Sequence, residues 1–159
     1  MNVDDYNDGA MAKDGFQPDD RDWEIINMLR AGTISNSAIA KELGVSEGMI
    51  RQRIKRLREL GVLSLRGLVN PEILNDREIV WIGANVAESR LLDQKALEVS
   101  RLPHVLSVSI VAGRYDLLVE LLLDSHHGLV DFLIDHLSTV SGVASTESFV
   151  TLKTYSKFV

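Results

Sequence analysis

Residues 35–61 read SNSAIAKELGVSEGMIRQRIKRLRELG, and the folding of this stretch decides the architecture of the N-terminal half. Ser35 or Asn36 can cap a short helix with Ile39, Ala40 and Leu43 as its inner face, and Gly44 ends it where a left-handed residue is easiest. Ser46 caps a second helix, in which Ile50, Ile54 and Leu57 recur at helical intervals until Gly61 closes it. Small Ala40 lets the two helices cross closely, and Ile39, Leu43, Val45 and Ile50 fill the space between them. This is the spacing of a helix-turn-helix, but an ordinary αα-hairpin has it too, so charge must decide between them. Residues 44–66 carry six bases (Arg51, Arg53, Lys55, Arg56, Arg58 and Arg66) against two acids, in a chain whose net charge is −6. One basic helix in an acidic chain is the footprint of an element that meets phosphates.

Working outward, Pro18-Asp19-Asp20 opens a preceding helix with Trp23, Ile26 and Met28/Leu29 as its apolar stripe, and Ala31-Gly32 ends it. Residues 1–18 hold no periodicity and are acidic, which predicts a disordered tail without an assigned role. On the other side, Val62 to Arg66 reads as extended and Asn70-Pro71 as a turn. The expected division is a helix-turn-helix domain at 19–63, a linker at 64–76 and a second domain at 77–159.

The second domain alternates an apolar run (Ile79 to Ala87), a helical pattern (Leu91 to Leu102, stopped by Pro103) and two β-rich runs (Val105 to Ala112, Tyr115 to Leu123) flanking a two-residue break at Gly113-Arg114. A helix from about His126 to Thr139 follows, with Leu129, Phe132, Leu133, Ile134 and Leu137 inward, then a strand from Val143 to about Tyr155. Strand, helix, strand, strand, helix, strand is the ferredoxin-like βαββαβ arrangement, an antiparallel sheet with both helices on one face. The chain is thus expected to be α+β. Ile82, Ala84 and Val86 alternate with Trp81, Gly83 and Asn85, while the hairpin strands are apolar on both sides, so the free sheet face is expected to be covered by self-association, at least as a dimer.

Composition excludes several classes. Cysteine is absent, which removes disulfides, thiolate metal sites and thiol catalysis. No apolar run reaches the roughly 20 residues of a membrane span, and the acidic N-terminus does not look like a signal peptide, so a soluble, cytoplasmic protein is expected. His104, His126, His127 and His136 show no metal-ligand spacing and read as cap, surface or packing residues. There is no phosphate-binding glycine loop and no placed nucleophile with a base; neither catalytic residues nor a cofactor or metal are expected.

If the basic helix enters a major groove, the residues off its apolar stripe are Glu47, Gly48, Arg51, Gln52 and Lys55. Arg51 can address both acceptors of a guanine and Gln52 the donor and acceptor of an adenine. Arg53, Arg56 and Arg58 lie farther round and suit phosphate or an acidic neighbour within the protein; Ser46 can donate to phosphate or simply cap the helix.

These residues resemble the leucine-responsive regulatory protein/AsnC (feast/famine) family of transcription regulators over about 19–158. The markers are Ile34-Ser35-Asn36, Ala40 to Ser46, Arg51 to Leu57 with Gly61-Val62-Leu63, Asn70-Pro71, Pro103-His104-Val105-Leu106, Gly113-Arg114-Tyr115-Asp116 in place of the family's Gly-x-Tyr-Asp turn, and Gly142-Val143 with Thr146-Glu147-Ser148. The resemblance implies a winged helix-turn-helix that binds double-stranded DNA, joined to a ferredoxin-like domain that senses an amino acid or similar metabolite. It also implies dimers assembling further into octamers. On this basis Gly113 permits the turn, Asp116 is a candidate for a ligand ammonium and Tyr115 for a wall or hydrogen bond, with Thr146 and Ser148 as lesser candidates. From the residues alone, Gly113 makes a hairpin turn, Tyr115 packs and Asp116 satisfies backbone donors. Arg114 suits a ligand carboxylate, or pairs with Glu120 or another acid. Departures are a linker at 64–68 one residue short of the usual and without its Gly-Tyr pair, Gly48 inside the reading helix, and Ser141 in place of a common proline. The competing readings are a sensing module without DNA binding and an enzyme similar to the sirohaem decarboxylases.

Overall fold

The computed structural model describes residues 15–32, 34–124 and 127–159. The chain divides at Arg66/Gly67 into two compact units. In the helical unit, α1 (Asp20–Ala31), α2 (Asn36–Leu43) and α3 (Glu47–Glu59) start at Asp19, Ser35 and Ser46, each accepting a first-turn backbone N–H. Asp19 and Asp22 form a reciprocal capping box. Gly44, at φ 66°, takes the left-handed cap of α2 and donates its N–H to the Ala40 carbonyl, which makes the tight turn into α3. Ile25, Ile39, Ala40, Ile50 and Ile54 form the core, with Met28, Leu29, Ile34, Leu43, Val45 and Leu63 packed against it. Burying each large aliphatic side chain contributes about 1.5–3 kcal/mol.

Trp23, expected inside, is 48% exposed, while Asp22, Ile25 and Ile26 are buried. The inner stripe of α1 is rotated because Asp22 is drawn in by Arg53 of α3, 2.7 Å away. Within the nominal tail, Phe16 lies under Arg56, its ring centroid 4.7 Å from the guanidinium carbon; residues 1–14 lie outside the described residues. Residues 63–70 carry no regular secondary structure.

The second unit is built from β1 (Arg77–Val86), α4 (Leu92–Ser100), β2 (Val105–Ile110), β3 (Leu117–Asp124), α5 (Gly128–Asp131) and β4 (Val143–Val150). The strands lie in the order β2-β3-β1-β4, all antiparallel, which is the expected ferredoxin-like topology. Val80, Ile82, Val119, Leu121 and Leu123 face α4 and α5 and pack with Val99, Phe132, Leu137 and Val140. A 3-10 turn at Ser89–Leu91 precedes α4. On α4 the buried Lys95 is neutralised by Glu98 at 2.7 Å, and that hydrogen bond holds the Glu98 carboxyl below its ordinary range.

Register assigns the opposite face to Trp81, Gly83 and Asn85 of β1, Leu118, Glu120 and Leu122 of β3, and Ser145, Glu147 and Phe149 of β4. Three expectations are corrected. The break between β2 and β3 is not two residues: Val111 N–H still donates to the Asp116 carbonyl, so the loop is 112–115, because Asp116 also follows β1 through its N–H to the Ala84 carbonyl. The second long helix changes pitch, from α5 to a π-helical segment at Phe132–His136 and a 3-10 turn at Leu137–Thr139, which turns Ile134 outward to 64% exposure. Its expected start at His126 lies outside the described residues. Finally, β4 ends at Val150, short of the expected Tyr155, with one further backbone hydrogen bond from the Thr151 N–H to the Ile79 carbonyl. Lys157 pairs with Glu120, and Val159 exchanges two backbone hydrogen bonds with Val69.

Candidate functional site

At about 100° per residue, Glu47, Gly48, Arg51, Gln52 and Lys55 share one side of α3 and Ile50, Ile54 and Leu57 the other. All five of the former are exposed, and the Arg51 and Lys55 side chains keep 70% and 74% of their surface. Their ion pairs, Arg51 to Glu47 at 2.6 Å and Lys55 to Glu59 at 3.7 Å, are single-turn surface pairs of little strength. Gly48 is not in the left-handed region, and a Cβ there would meet only the Ser46 hydroxyl at 4.0 Å, so neither backbone nor packing demands glycine. Ser46 is occupied as a cap: its hydroxyl accepts the Met49 N–H at 3.2 Å.

Arg53 points elsewhere. Its guanidinium donates to both Asp19 oxygens at 2.8–2.9 Å and to Asp22 at 2.7 Å, so of its two expected partners it takes the acidic neighbour. The hydrogen bonds to Asp19 and then Asp22 raise its pKa, and the same bond from Arg53, followed by the Asp22 N–H, lowers that of Asp19. Asp19 was missed as a partner at the sequence level because it read as part of a helix start, which it also is, and Asp22 drew no reading at all.

In the sheet unit, Arg114, Tyr115 and Asp116 sit in and beside the loop between β2 and β3. Tyr115 lies over Gly83, donates its hydroxyl to Glu147, and meets Phe149 edge-on at 6.2 Å between centroids. Arg114 approaches Glu147 at 3.4 Å, with its guanidinium carbon 5.4 Å from the Tyr115 ring. One Asp116 oxygen accepts the Val86 N–H at 2.9 Å, so the carboxylate stands in for a ladder acceptor at the end of β1. Gly113 is not left-handed and has open space around it; the tight turn expected of it is absent. Thr146 and Ser148, opposite Ala84 and Ile82, belong to the helix side of the sheet, across from Glu147. Arg114, Tyr115 and Glu147 are thus brought together, and Thr146 and Ser148 are not part of that cluster. Glu147 is the residue that sequence reasoning missed; strand alternation along Thr146-Glu147-Ser148 was the signal that separates it from its neighbours. Among the described residues no group of three His, Cys, Asp or Glu side chains is placed to hold a metal ion, and no helix is long and apolar enough to cross a membrane.

A family model for the Lrp/AsnC ligand binding domain matches residues 79–158, and one for a winged helix-turn-helix DNA-binding domain matches residues 18–64. The HTH-type transcriptional regulator FL11 of Pyrococcus furiosus is 32% identical over 139 residues, covering 86% of this chain and 91% of that protein. The HTH-type transcriptional regulator Ptr1 of Methanocaldococcus jannaschii is 24% identical over 136 residues, covering 84% and 91%. Among solved structures, the fold is similar to that of the leucine response regulatory protein LrpA of Mycobacterium tuberculosis, with a TM-score of 0.71 at 22% identity over 88% of this chain and 96% of that one. It is also similar to the transcriptional regulator NMB0573 of Neisseria meningitidis in complex with L-Met, with a TM-score of 0.60 at 24% identity over 86% and 91%. Both halves of the chain are matched, in the order in which the two units occur. This is a transcriptional regulator that joins a helix-turn-helix to a ligand-binding domain, and it belongs to the Lrp/AsnC family.

Proposed function

We propose that this regulator reads specific DNA sequences with the outer face of α3 and changes its binding when an amino acid or similar metabolite occupies the Arg114-Tyr115-Asp116 region. The observation that carries the DNA half is the sorting of cations on α3. Arg51 and Lys55 are held only by weak surface pairs, whereas Arg53 is neutralised inside the unit. Arg51 and Gln52 read base edges; Glu47 and Gly48 line the approach; Lys55, Arg56 and Ser46 meet phosphates. Arg53 positions α3 against α1 and leaves the set of direct contacts.

The effector half is supported by the polar cluster of Arg114, Tyr115 and Glu147, and by the L-Met complex of the neisserial relative. With one Asp116 oxygen spent on Val86, Glu147 joins Asp116 as a carboxylate for a ligand ammonium and Arg114 serves its carboxylate, while Thr146 and Ser148, on the other side of the sheet, leave the set. Self-association through the sheet face away from the helices is part of the same reading, first as a dimer and then as a larger ring up to an octamer; Phe149 is exposed on that face, while Glu120 and Leu122 are already covered there. The protein acts in the cytoplasm and not as an enzyme. The working domains are 19–63 and 77–159, joined by the linker at 64–76.

The test is binding of the purified protein to genomic fragments, including the one upstream of its own gene, across a salt series and with each amino acid added in turn. Selective binding that weakens with salt and shifts with one amino acid is the expected result. No selective binding at any salt overturns the DNA half.

A further inference from the structure

Gly83 sits inside β1, buried, opposite Leu118 of β3 and Glu147 of β4. A glycine there weakens a strand, since it packs no side chain and loses more chain entropy than alanine on folding. The backbone does not ask for it, because Gly83 is not in the left-handed region. The space does. A Cβ on Gly83 would stand 2.6, 2.7 and 2.8 Å from Cδ2, Cγ and Cε2 of Tyr115. Cγ is the root of the ring, so the clash is not relieved by moving a flexible tip; the ring or the loop that carries it must shift. That loop is anchored on β1 one residue later, by Asp116 N–H to the Ala84 carbonyl at 3.0 Å and by Val86 N–H to the Asp116 carboxylate at 2.9 Å. At the far end of the ring the Tyr115 hydroxyl donates to Glu147, which also faces Arg114 at 3.4 Å.

We propose that Gly83 is a positioning residue of the effector site: its missing side chain seats the Tyr115 ring on the sheet, and the seated hydroxyl aims Glu147 at the ammonium group of an α-amino acid. The proposal rests on the reading of this region as the effector site. The existing Arg114–Glu147 pair is largely exposed and of little worth, so a zwitterion can part the two side chains and give each an opposite charge at small cost. Glu147 is useful for this only if it stays in place when Arg114 leaves, and the Tyr115 hydroxyl is what keeps it there.

Two measurements on the full chain test this. First, Gly83→Ala, Tyr115→Ala and the double variant are melted without ligand. Gly83→Ala lowers Tm when Tyr115 is present and leaves it unchanged or raises it in the Tyr115→Ala background; an equal fall in both backgrounds overturns the seat. Second, each proteinogenic amino acid is used as a probe by thermal shift and by its effect on binding to the upstream fragment. For the amino acid that acts on the unmodified protein, Gly83→Ala and Tyr115→Phe each weaken the response by roughly tenfold, the scale of a lost hydrogen bond to a charged group. Tyr115→Phe keeps the ring and removes only the bond to Glu147, so a wild-type response in that variant overturns the proposal. If the melting pattern is obeyed but no amino acid acts on the unmodified protein, the effector reading itself fails and the proposal falls with it. Failure of the seat alone is recognised by the melts.

Discussion

The outer face of α3 and the open face of the sheet hold their charges in opposite ways. On α3, Arg51 and Lys55 are extended into solvent, and their pairs to Glu47 and Glu59 are of the i,i+4 kind worth about 0.3–0.5 kcal/mol each. On the sheet, buried Glu120 takes Lys157 and the Ser107 hydroxyl; Glu147 is held by the Tyr115 hydroxyl, its pair with exposed Arg114 being as weak as those on α3. Charges that are weakly held can be handed to a polyanion at little cost. Charges already committed within the unit allow a surface to be covered by another protein without stranding an ion. The contrast therefore supports the proposal that the two faces meet different kinds of partner.

The contrast can be broken from within α3, because Arg53 behaves like a residue of the sheet face. Arg53→Ala leaves the Asp22 side chain, 3% exposed, without its cation. Breaking a fully buried pair costs about 3–5 kcal/mol. Since Arg53 is itself 26% exposed, solvent screening reduces the expectation to roughly 2 kcal/mol. Urea unfolding followed by helical circular dichroism should show the helical unit melting earlier, with the sheet transition unmoved; an unchanged helical transition would mean that the pair does not hold α1 to α3. Arg51→Ala is the complementary case, with stability unchanged within about 0.5 kcal/mol. Its affinity for a cognate site should fall roughly tenfold or more, from a loss of about 1–3 kcal/mol of base discrimination. An equal loss on every fragment would reassign Arg51 from bases to phosphates. Lys55→Ala should act uniformly on all sequences, flattening the slope of log affinity against log salt by about 1. A sequence-dependent effect there would place Lys55 among the reading residues instead.

These distinctions mark how far the sequence could be read. The three helices, the cap at Ser46, the other two caps to within a residue, and the βαββαβ order were legible because each rests on local signals: a capping side chain, a left-handed glycine, an apolar period. Gly44 in its left-handed conformation marks the turn between α2 and α3. What was not legible came from across the chain. Asp22 turns inward to meet Arg53, far along the sequence, as well as the Asp19 N–H, while Trp23 faces outward. Ile134 faces solvent because the pitch of its helix changes at Phe132, which no periodicity announces. At the candidate effector site, the residue types were found but not their sorting. Glu147 joins Tyr115 and Arg114, while Thr146 and Ser148 face the other way, and the difference is a strand register set by pairing with β1.

The smallest effect expected is in acid, and it puts the two units side by side. Asp19 in the helical unit and Glu98 in the sheet unit are both held below the ordinary carboxylate range, Asp19 chiefly by the Arg53 hydrogen bond and Glu98 chiefly by that of Lys95. A carboxylate lowered on folding adds stability that is complete above its unfolded pKa and lost as pH falls through the folded one, so the window lies below about pH 4. Asp19→Asn keeps a good helix cap and removes the titration, so the decline in acid becomes shallower by the same small amount that stability at neutral pH falls. Glu98→Gln should flatten the acid decline of the sheet unit alone, with a larger loss at neutral pH because buried Lys95 loses its counter-ion. Far-ultraviolet dichroism during urea unfolding at a descending series of pH values separates the two cases. If Asp19→Asn flattens the acid decline of the helical transition and Glu98→Gln does not, the coupling of α1 to α3 is electrostatic in the way the Arg53 geometry requires. If neither variant changes its own unit, the acid sensitivity belongs to carboxylates that make no such pair, and the contrast between the committed and the releasable charges has to stand on the Arg53→Ala and Arg51→Ala results.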